Sequence, residues 1–436
     1  MIYLHVPFCE SRCTYCGFFS NVILSEAQGN NENNENVILS EAKNLCYEAF
    51  ADAVLGEIDD RREEIEKTLS VNTLYIGGGT PSVLPLDVLS RIVRTIESVS
   101  LSQSSNDENV ILSDAKNLYP WSEFTIEVNP EDIIRKGDKY VKGLLALGVN
   151  RVSMGVQSFD DGILRWMNRR HDSAGAEEAF RILRRCGVSN ISIDLIFGLP
   201  QLTDSVFEDT VGKALALGPE HISAYQLSVV EDSALAKMVA TGRFTEASEE
   251  RCRSQYDLLC ARLAEAGYHH YEVSNFALPG REAVHNSAYW RRVPYVGLGP
   301  GAHSFSGGSV RSWNSGNLPV RLKDGSLKTY SREEEHLTDE DIRVERIMLA
   351  LRTDAGLPEE ELRSLAGDPS VVDRLLSDGA LVRMGDPSVT SFPQDDKEEK
   401  HCHPEHSHCH PERSEGSLRI SESHFFVSDE IIREII

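Results

Sequence analysis

Six short apolar or β-branched runs recur along the first half of this chain: IYLHV (2–6), TLYI (73–76), FTIEV (124–128), RVSMGV (151–156), ISIDLIF (191–197) and HISAYQLSV (221–229). Between them apolar positions return every three or four residues, at Phe50, Val54 and Ile58, then Leu89, Ile92, Val93 and Ile96, then Phe180 and Leu183. The runs bounded by turn-forming residues read as strands, the three-and-four spacing as helices. Six strands joined by helices predict a parallel sheet with right-handed crossovers, open or curled into a barrel, and in either geometry a ligand site at the strands' carboxyl ends. From about residue 306 the chain turns helical, with DIRVERIMLALR (341–352), LPEEELRSLAG and VVDRLLSDGALVRM. These predict a small, mainly helical second domain, winged in form, packed on the first.

Three interruptions break the pattern. NVILS occurs at 21–25, 36–40 and 109–113, with longer copies NVILSEAKNL (36–45) and NVILSDAKNL (109–118), and HCHPE is doubled within HCHPEHSHCHPERSEGSL (401–418). The spacing is too irregular for a solenoid. One nucleotide string encodes Cys409 to Ser417 in one frame and, shifted by a base, a near copy of residues 37–45, so a mobile element inserted several times in two frames accounts for both families of repeat. Residues of about 21–45, 103–119 and 393–422 are therefore expected to be tolerated surface loops, because long insertions add little closure entropy. The tract His401, Cys402, His403, His406, His408, Cys409 and His410 looks like a metal tract, but the same origin explains it without function.

Composition narrows the partners. Lys and Arg number 44 against 69 Asp and Glu, a net charge of −25, which repels nucleic acid and anionic lipid. No stretch approaches the roughly 20 apolar residues of a spanning helix, and there is no basic-then-apolar leader. A cytoplasmic protein without a transmembrane segment is expected. Nine cysteines, odd in number and sparse, suit a reducing compartment, where clustered thiols hold metal or do chemistry.

Cys9, Cys13 and Cys16 follow the first predicted strand in VPFCESRCTYCGFF (6–19). Structural zinc wants a fourth ligand, and the next cysteine, Cys46, opens a helix beyond the repeats. A cubane iron–sulfur cluster on three thiolates leaves one iron open. Zinc and cluster both remain readings of the spacing alone. GGGTPS (77–82) follows the second strand and lets backbone approach a ligand, or is a plain tight turn. Glu127, Gln157 and Asp194 lie at or near the ends of successive strands, and Arg169 in a loop beyond. Convergence of two carboxylates, an amide and a guanidinium on one mouth suits a zwitterionic ligand carrying a ribose.

With Tyr15 before the last cysteine and the GGGTP turn, the chain resembles the radical S-adenosylmethionine enzymes. Within them it is similar to the branch holding oxygen-independent coproporphyrinogen III dehydrogenase and the HemW-type heme chaperones. The resemblance covers nearly the whole chain outside the insertions. It implies an α/β fold with a partial (β/α)6 TIM-like barrel over 1–305 and a C-terminal domain over 306–436. It further implies a [4Fe–4S] cluster on Cys9, Cys13 and Cys16, with S-adenosylmethionine on the open iron, lined by Tyr3, Gly78, Gly79, Thr80, Glu127, Gln157, Arg169 and Asp194.

Two departures favour the chaperone within that branch. The dehydrogenase pattern has a further cysteine where Phe18 stands, and a long segment before its first cysteine for which Cys9 leaves no room. The chaperone pattern H-N-x-x-Y-W, thought to contact heme, occurs as HNSAYW (285–290). His285 would then offer an imidazole to heme iron, with Tyr289 and Trp290 giving flat apolar contact; alternatively His285 and Asn286 tie down a loop over the barrel mouth. The resemblance thus implies a carrier binding heme and delivering it to heme-receiving apoproteins, supplied by an electron donor, with a homodimer among the states left open. The alternative is oxidative decarboxylation of coproporphyrinogen III, and a zinc-stabilised α/β binding protein is a third.

Overall fold

The computed structural model describes residues 1–17, 19–23, 37–38, 40–100, 121–231, 233–384 and 416–436. The six predicted strands are present as β1 (Ile2–Val6), β2 (Thr73–Gly78), β3 (Glu123–Val128), β4 (Arg151–Gln157), β5 (Ile191–Phe197) and β6 (His221–Gln226). They lie side by side, all parallel, in chain order. Beyond β6 the sheet continues with β7 (His269–Glu272) and β8 (Asn275–Ala277), β8 antiparallel to β6. At the other edge β9 (Val296–Leu298) pairs parallel with β1.

Each of the six strands alternates. Leu4, Ile76, Ile126, Val152, Met154 and Ile193 are buried on one face, packed in one core with Phe50, Val54 and Ile58 of α1 (Ser40–Asp60) and Leu89, Ile92, Val93 and Ile96 of α2 (Leu86–Ser100). The opposite face is polar: Tyr3, Tyr75, Thr125 and Arg151 stand in register on neighbouring strands, as do Glu127, Ser153, Ser192 and His221, then Gly155, Asp194 and Ser223. In-register residues share a face. Parallel sheets usually read as apolar on both faces, so a buried polar lining marks the hollow side as built for chemistry. Helices α3 (Pro130–Ala146), α4 (Ser173–Arg185), α5 (Asp204–Leu217) and α6 (Glu249–Glu265) complete the outer layer.

The chain then adds a short helix, α7 (Val284–Trp290), before β9, and a three-stranded antiparallel sheet of β10 (His303–Phe305), β11 (Val310–Asn314) and β12 (Arg332–His336). The expected domain border at 305/306 falls inside the β10–β11 hairpin, whose backbone bonds do not part there. The tail follows with α8 (Asp339–Ala350), α9 (Glu359–Leu365), α10 (Pro369–Ser377) and α11 (Ser428–Ile435), around a small sheet of β13 (Leu357–Pro358), β14 (Leu381–Arg383) and β15 (Ser417–Ile420). It docks on the β7–β8 turn, where Val273 N–H bonds Arg352 O at 3.0 Å and Asp354 N–H bonds Tyr271 O at 3.0 Å.

Two of the expected loops end earlier than the repeats do. Helix α1 begins at Ser40, inside the 21–45 stretch, because EAKNL consists mostly of good helix formers and runs straight into the apolar positions Phe50 and Val54. The third stretch, 393–422, contains β15, whose buried Leu418 pairs with both β13 and β14 and whose buried Ile420 pairs with β14; a strand central to its sheet is not a loop. The His/Cys tract at 401–410 and residues 103–119 lie outside the described residues.

Candidate cluster and cofactor site

Cys9, Cys13 and Cys16 sit in the loop leaving β1, on the wall of a cavity of about 690 Å³ at the carboxyl ends of the strands. The GGGTP turn supports that loop from β2: Gly79 N–H donates to Val6 O at 2.8 Å and Thr80 N–H to Phe8 O at 2.7 Å. A Cβ on Gly79 would lie 2.6 Å from Phe8 O, so only glycine permits this approach. Thr80 Oγ1 stands 3.4 Å from Cys9 Sγ. Burial pushes the Cys9 thiol up, with the Thr80 hydrogen bond working the other way.

The loop's flanks are clamped. Buried Glu10 accepts from Lys43 Nζ at 3.0 Å, Arg135 Nη1 at 2.7 Å and Arg170 Nη1 at 2.6 Å. Burial opposes its ionisation, yet the hydrogen bonds from Arg135 and Lys43 and the Arg170 charge prevail and hold it at about 2. Arg135 and Arg170 also reach Asp132 Oδ1, and Ser82 donates to Asp132 Oδ2 at 2.7 Å. Further along, Thr14 N–H bonds Met167 O, Thr14 Oγ1 donates to Trp166 O at 2.8 Å, and Asn168 Nδ2 donates to Arg12 O at 2.8 Å.

Gly78, Gly79, Thr80, Glu127, Gln157, Arg169 and Asp194, predicted from sequence, all line this cavity. Glu127 Oε1 accepts from Tyr75 OH at 2.8 Å and Oε2 from Gly78 N–H at 3.1 Å. Burial raises its carboxyl to about 7, the Tyr75 hydrogen bond resisting and the Asp194 charge adding to the rise. Asp194 is raised too, first by burial, against hydrogen bonds from Ser223 and Ser153. Arg169 Nη1 donates to Cys13 Sγ at 3.5 Å and Nη2 to Gly155 O at 2.5 Å, while its Nε is buried without a partner. Gln157 and Asn168 have left-handed φ values of 70° and 58°, strain of the kind that gathers at functional sites.

Among the described residues no three His, Cys, Asp or Glu side chains are gathered closely enough for a single metal ion. Three thiols on one short loop at the cavity wall are the donor set of an iron–sulfur cluster that leaves one iron open. The raised carboxyls of Glu127 and Asp194 and the partnerless Arg169 Nε fit a zwitterionic ligand beside it.

Tyr3, His285 and Tyr289 are not on this wall. Tyr3 lies a layer below: His5 Nε2–H donates to Phe19 O at 2.9 Å, so His5 Nδ1 accepts from Tyr3 OH at 3.0 Å. His285, 1% exposed, bonds Thr73 Oγ1 through Nδ1 at 2.8 Å and Tyr289 OH through Nε2 at 3.0 Å. Thr73 opens β2, so His285 packs at the amino end of that strand, with Tyr75 between it and the cavity: the two rings lie 5.2 Å apart and the Tyr75 hydroxyl reaches Glu127 on the cavity wall. The expectation that His285 closes the mouth is corrected: it plugs the floor. Nor does it present a ring nitrogen to iron in this arrangement, since both are engaged; burial holds it neutral, with its pKa pushed down to about 3. Sequence reasoning missed Glu10, Tyr75 and Ser153. Only Glu10 left a signal, as an acid next to the first cysteine.

Residues 3–214 match the Radical SAM superfamily. The chain is 32% identical over 386 residues to the heme chaperone HemW of Bacillus subtilis (strain 168), covering 87% of this chain and 92% of that protein. It is 31% identical to the heme chaperone HemW of Lactococcus lactis (83% and 84% covered). The solved structure of coproporphyrinogen III oxidase (HemN) from Escherichia coli, described as a radical SAM enzyme, superposes with a TM-score of 0.67 at 20% identity, over 100% of this chain and 89% of that one, which establishes the shared fold. With three cysteines, the glycine turn and the polar cavity at one barrel mouth, and relatives this similar over nearly their full length, the chain belongs to the HemW heme chaperone family within the radical SAM superfamily.

Proposed function

We propose that this chain binds heme and hands it to heme-receiving proteins, using the barrel mouth for a [4Fe–4S] cluster on Cys9, Cys13 and Cys16 and for S-adenosylmethionine. The single observation that carries the reading is the near-full-length similarity to named heme chaperones on a chain whose own three-cysteine loop borders the cavity. When bound, the cluster supplies one electron at its open iron. The chain's own groups would orient and enclose it: Glu127 and Asp194 would face a cationic ligand with carboxyls that ionise more readily once it is there, Arg169 and Gln157 would donate to its oxygens, and Gly78, Gly79 and Gly155 would let it approach the backbone. Glu10 and its three cationic partners keep the cysteine loop in place.

The proposal includes an electron donor and a cytoplasmic setting. In support, the described cysteines are all free thiols, and no helix among the described residues is long and apolar enough to cross a membrane. Light scattering decides whether two copies pair.

The test is anaerobic reconstitution, iron and sulfide analysis, heme titration followed by the Soret band, and transfer of the bound heme to an apo-cytochrome. Heme uptake and transfer support the reading. A reconstituted protein that takes up no heme, or that converts coproporphyrinogen III to protoporphyrinogen instead, overturns it.

A further inference from the structure

We infer that Arg151 is a positioning residue for the cofactor: its buried positive charge is the counter-charge of Glu127 and Asp194, and it sets the pH above which the cavity takes up S-adenosylmethionine. This rests on the cofactor reading above and is independent of the heme-carrier one. Arg151 opens β4 and is 2% exposed. Ser153, two residues on and on the same face, lines the cavity, so Arg151 lies a layer beneath it. Buried charges are normally paired. The Arg151 Nε, however, is buried without a hydrogen-bond partner, and no ion pair reaches the side chain among the described residues. A guanidinium cannot escape that cost by shedding its proton. A charge kept there without a partner in contact argues for a use at longer range.

The sheet register supplies that range. Arg151 pairs with Thr125 and Ser153 with Glu127, so the arginine and the glutamate are diagonal neighbours on the polar face, with α-carbons about 8 Å apart. Asp194 follows on the next strand, where the Ser153 hydroxyl donates to it at 3.3 Å. The Arg151 charge favours ionisation of both carboxyls, against the burial that raises them. The other groups that face Arg151 do not compete for it. Burial holds His221 and His285 neutral and keeps Tyr75 and Tyr271 protonated. Glu123, on the floor, already accepts the Val284 and His285 N–H groups. Arg169, the second guanidinium near Asp194, donates to Cys13 Sγ and Gly155 O. The remaining groups that face Glu127, namely Tyr3, Tyr225 and Tyr289, are protonated by burial as well. The two carboxyls thus share the charge of Arg151 across a layer of neutral side chains.

The test compares Arg151→Met, Arg151→Gln and Arg151→Lys with wild type, all as full-length chains. Cluster-free protein is first unfolded by denaturant across neutral and alkaline pH. The fall in wild-type stability caused by Glu127 should level off near pH 7. In the Met and Gln variants it should run on for at least about one pH unit more, the effect of one charge at this separation, and Lys should restore the wild-type profile. Reconstituted protein is then titrated with S-adenosylmethionine over the same range. The uncharged variants should bind at least about fivefold more weakly than wild type at pH 7, the consequence of a one-unit shift, and should converge on it by about pH 9; the Lys variant should track wild type throughout. Profiles that do not move in the Met and Gln variants, an equal shift in the Lys variant, or failure of all three to fold overturns the inference, while wild-type binding leaves the cofactor reading standing. If wild-type protein binds no S-adenosylmethionine at any pH, the cofactor reading itself fails.

Discussion

Glu127→Gln separates the stability of the barrel from its chemistry. The wild-type carboxyl lies half-buried on the cavity wall and rises from its ordinary 4.5 to about 7. Between those values the folded chain holds a proton that the unfolded chain has lost, so this group's contribution to stability falls as pH rises from 4.5 to 7 and stays low above. A rise of about 2.5 at 1.36 kcal/mol per unit makes the ionised carboxylate cost about 3 kcal/mol at pH 8.5, against about 1 kcal/mol at pH 5. Glutamine keeps an acceptor for Tyr75 and carries no charge. In the absence of S-adenosylmethionine, denaturant unfolding should therefore show the variant gaining on wild type by about 2 kcal/mol between pH 5 and pH 8.5. The same substitution should weaken S-adenosylmethionine binding, measured by anaerobic calorimetry, and should flatten the tightening of wild-type binding as pH climbs towards 8. A stability gap that is equal at both pH values would refute the buried-charge argument.

Glu10→Ala leaves Arg135, Arg170 and Lys43 without their shared carboxylate and should destabilise the protein by about 3 kcal/mol, with iron content falling on reconstitution; in wild type this contribution is present above the ordinary 4.5 and is lost as pH falls towards about 2. Gly79→Ala places a Cβ against Phe8 O and should abolish cluster incorporation, read from the visible absorbance, while circular dichroism keeps a barrel signature. His285→Ala should lower stability by about 2–4 kcal/mol through its cavity and two lost hydrogen bonds, yet leave heme uptake per folded molecule unchanged. His171, His270 and His285 are each held at about 3, and His221 well below its usual 6.5, by burial. The unfolded chain protonates them first, so each removes about 1.4 kcal/mol per pH unit below 6.5; Glu127 and Glu272, raised to about 7 by burial, partly offset this down to 4.5, below which acid unfolding should steepen.

The six strands were legible because each alternates apolar and polar residues over five to seven positions, and the rim residues because they follow those strands. Strand β9 was not: its three residues lie in YVGLGPG, where glycines read as loop, and it exists by pairing with β1. The three cysteines are local in sequence and needed only their spacing. Glu10 and Tyr75 act through partners more than 30 residues away, information that no window of sequence contains. HNSAYW was found as a string, but a string does not say which side of a two-turn helix meets the barrel. His285 and Tyr289 face inward because Thr73 and the backbone-binding carboxylate of Glu123 wait there. The repeats were visible by their duplication, yet where useful structure resumes was set by burial of Leu418 and Ile420 and by the helix that captures Ser40 onward.

The pairing of β14 with β15 has a practical consequence. Arg383 stands opposite Leu418, and Met384 N–H bonds Ser417 O at 2.9 Å, so the chain departs and returns at points a strand's width apart, about 5 Å. A junction of that kind is indifferent to what is spliced between its ends, since doubling the spliced length costs only about 0.6 kcal/mol. It offers a graft point at which a fluorescent or affinity passenger could ride on the molecule, leaving both termini untouched.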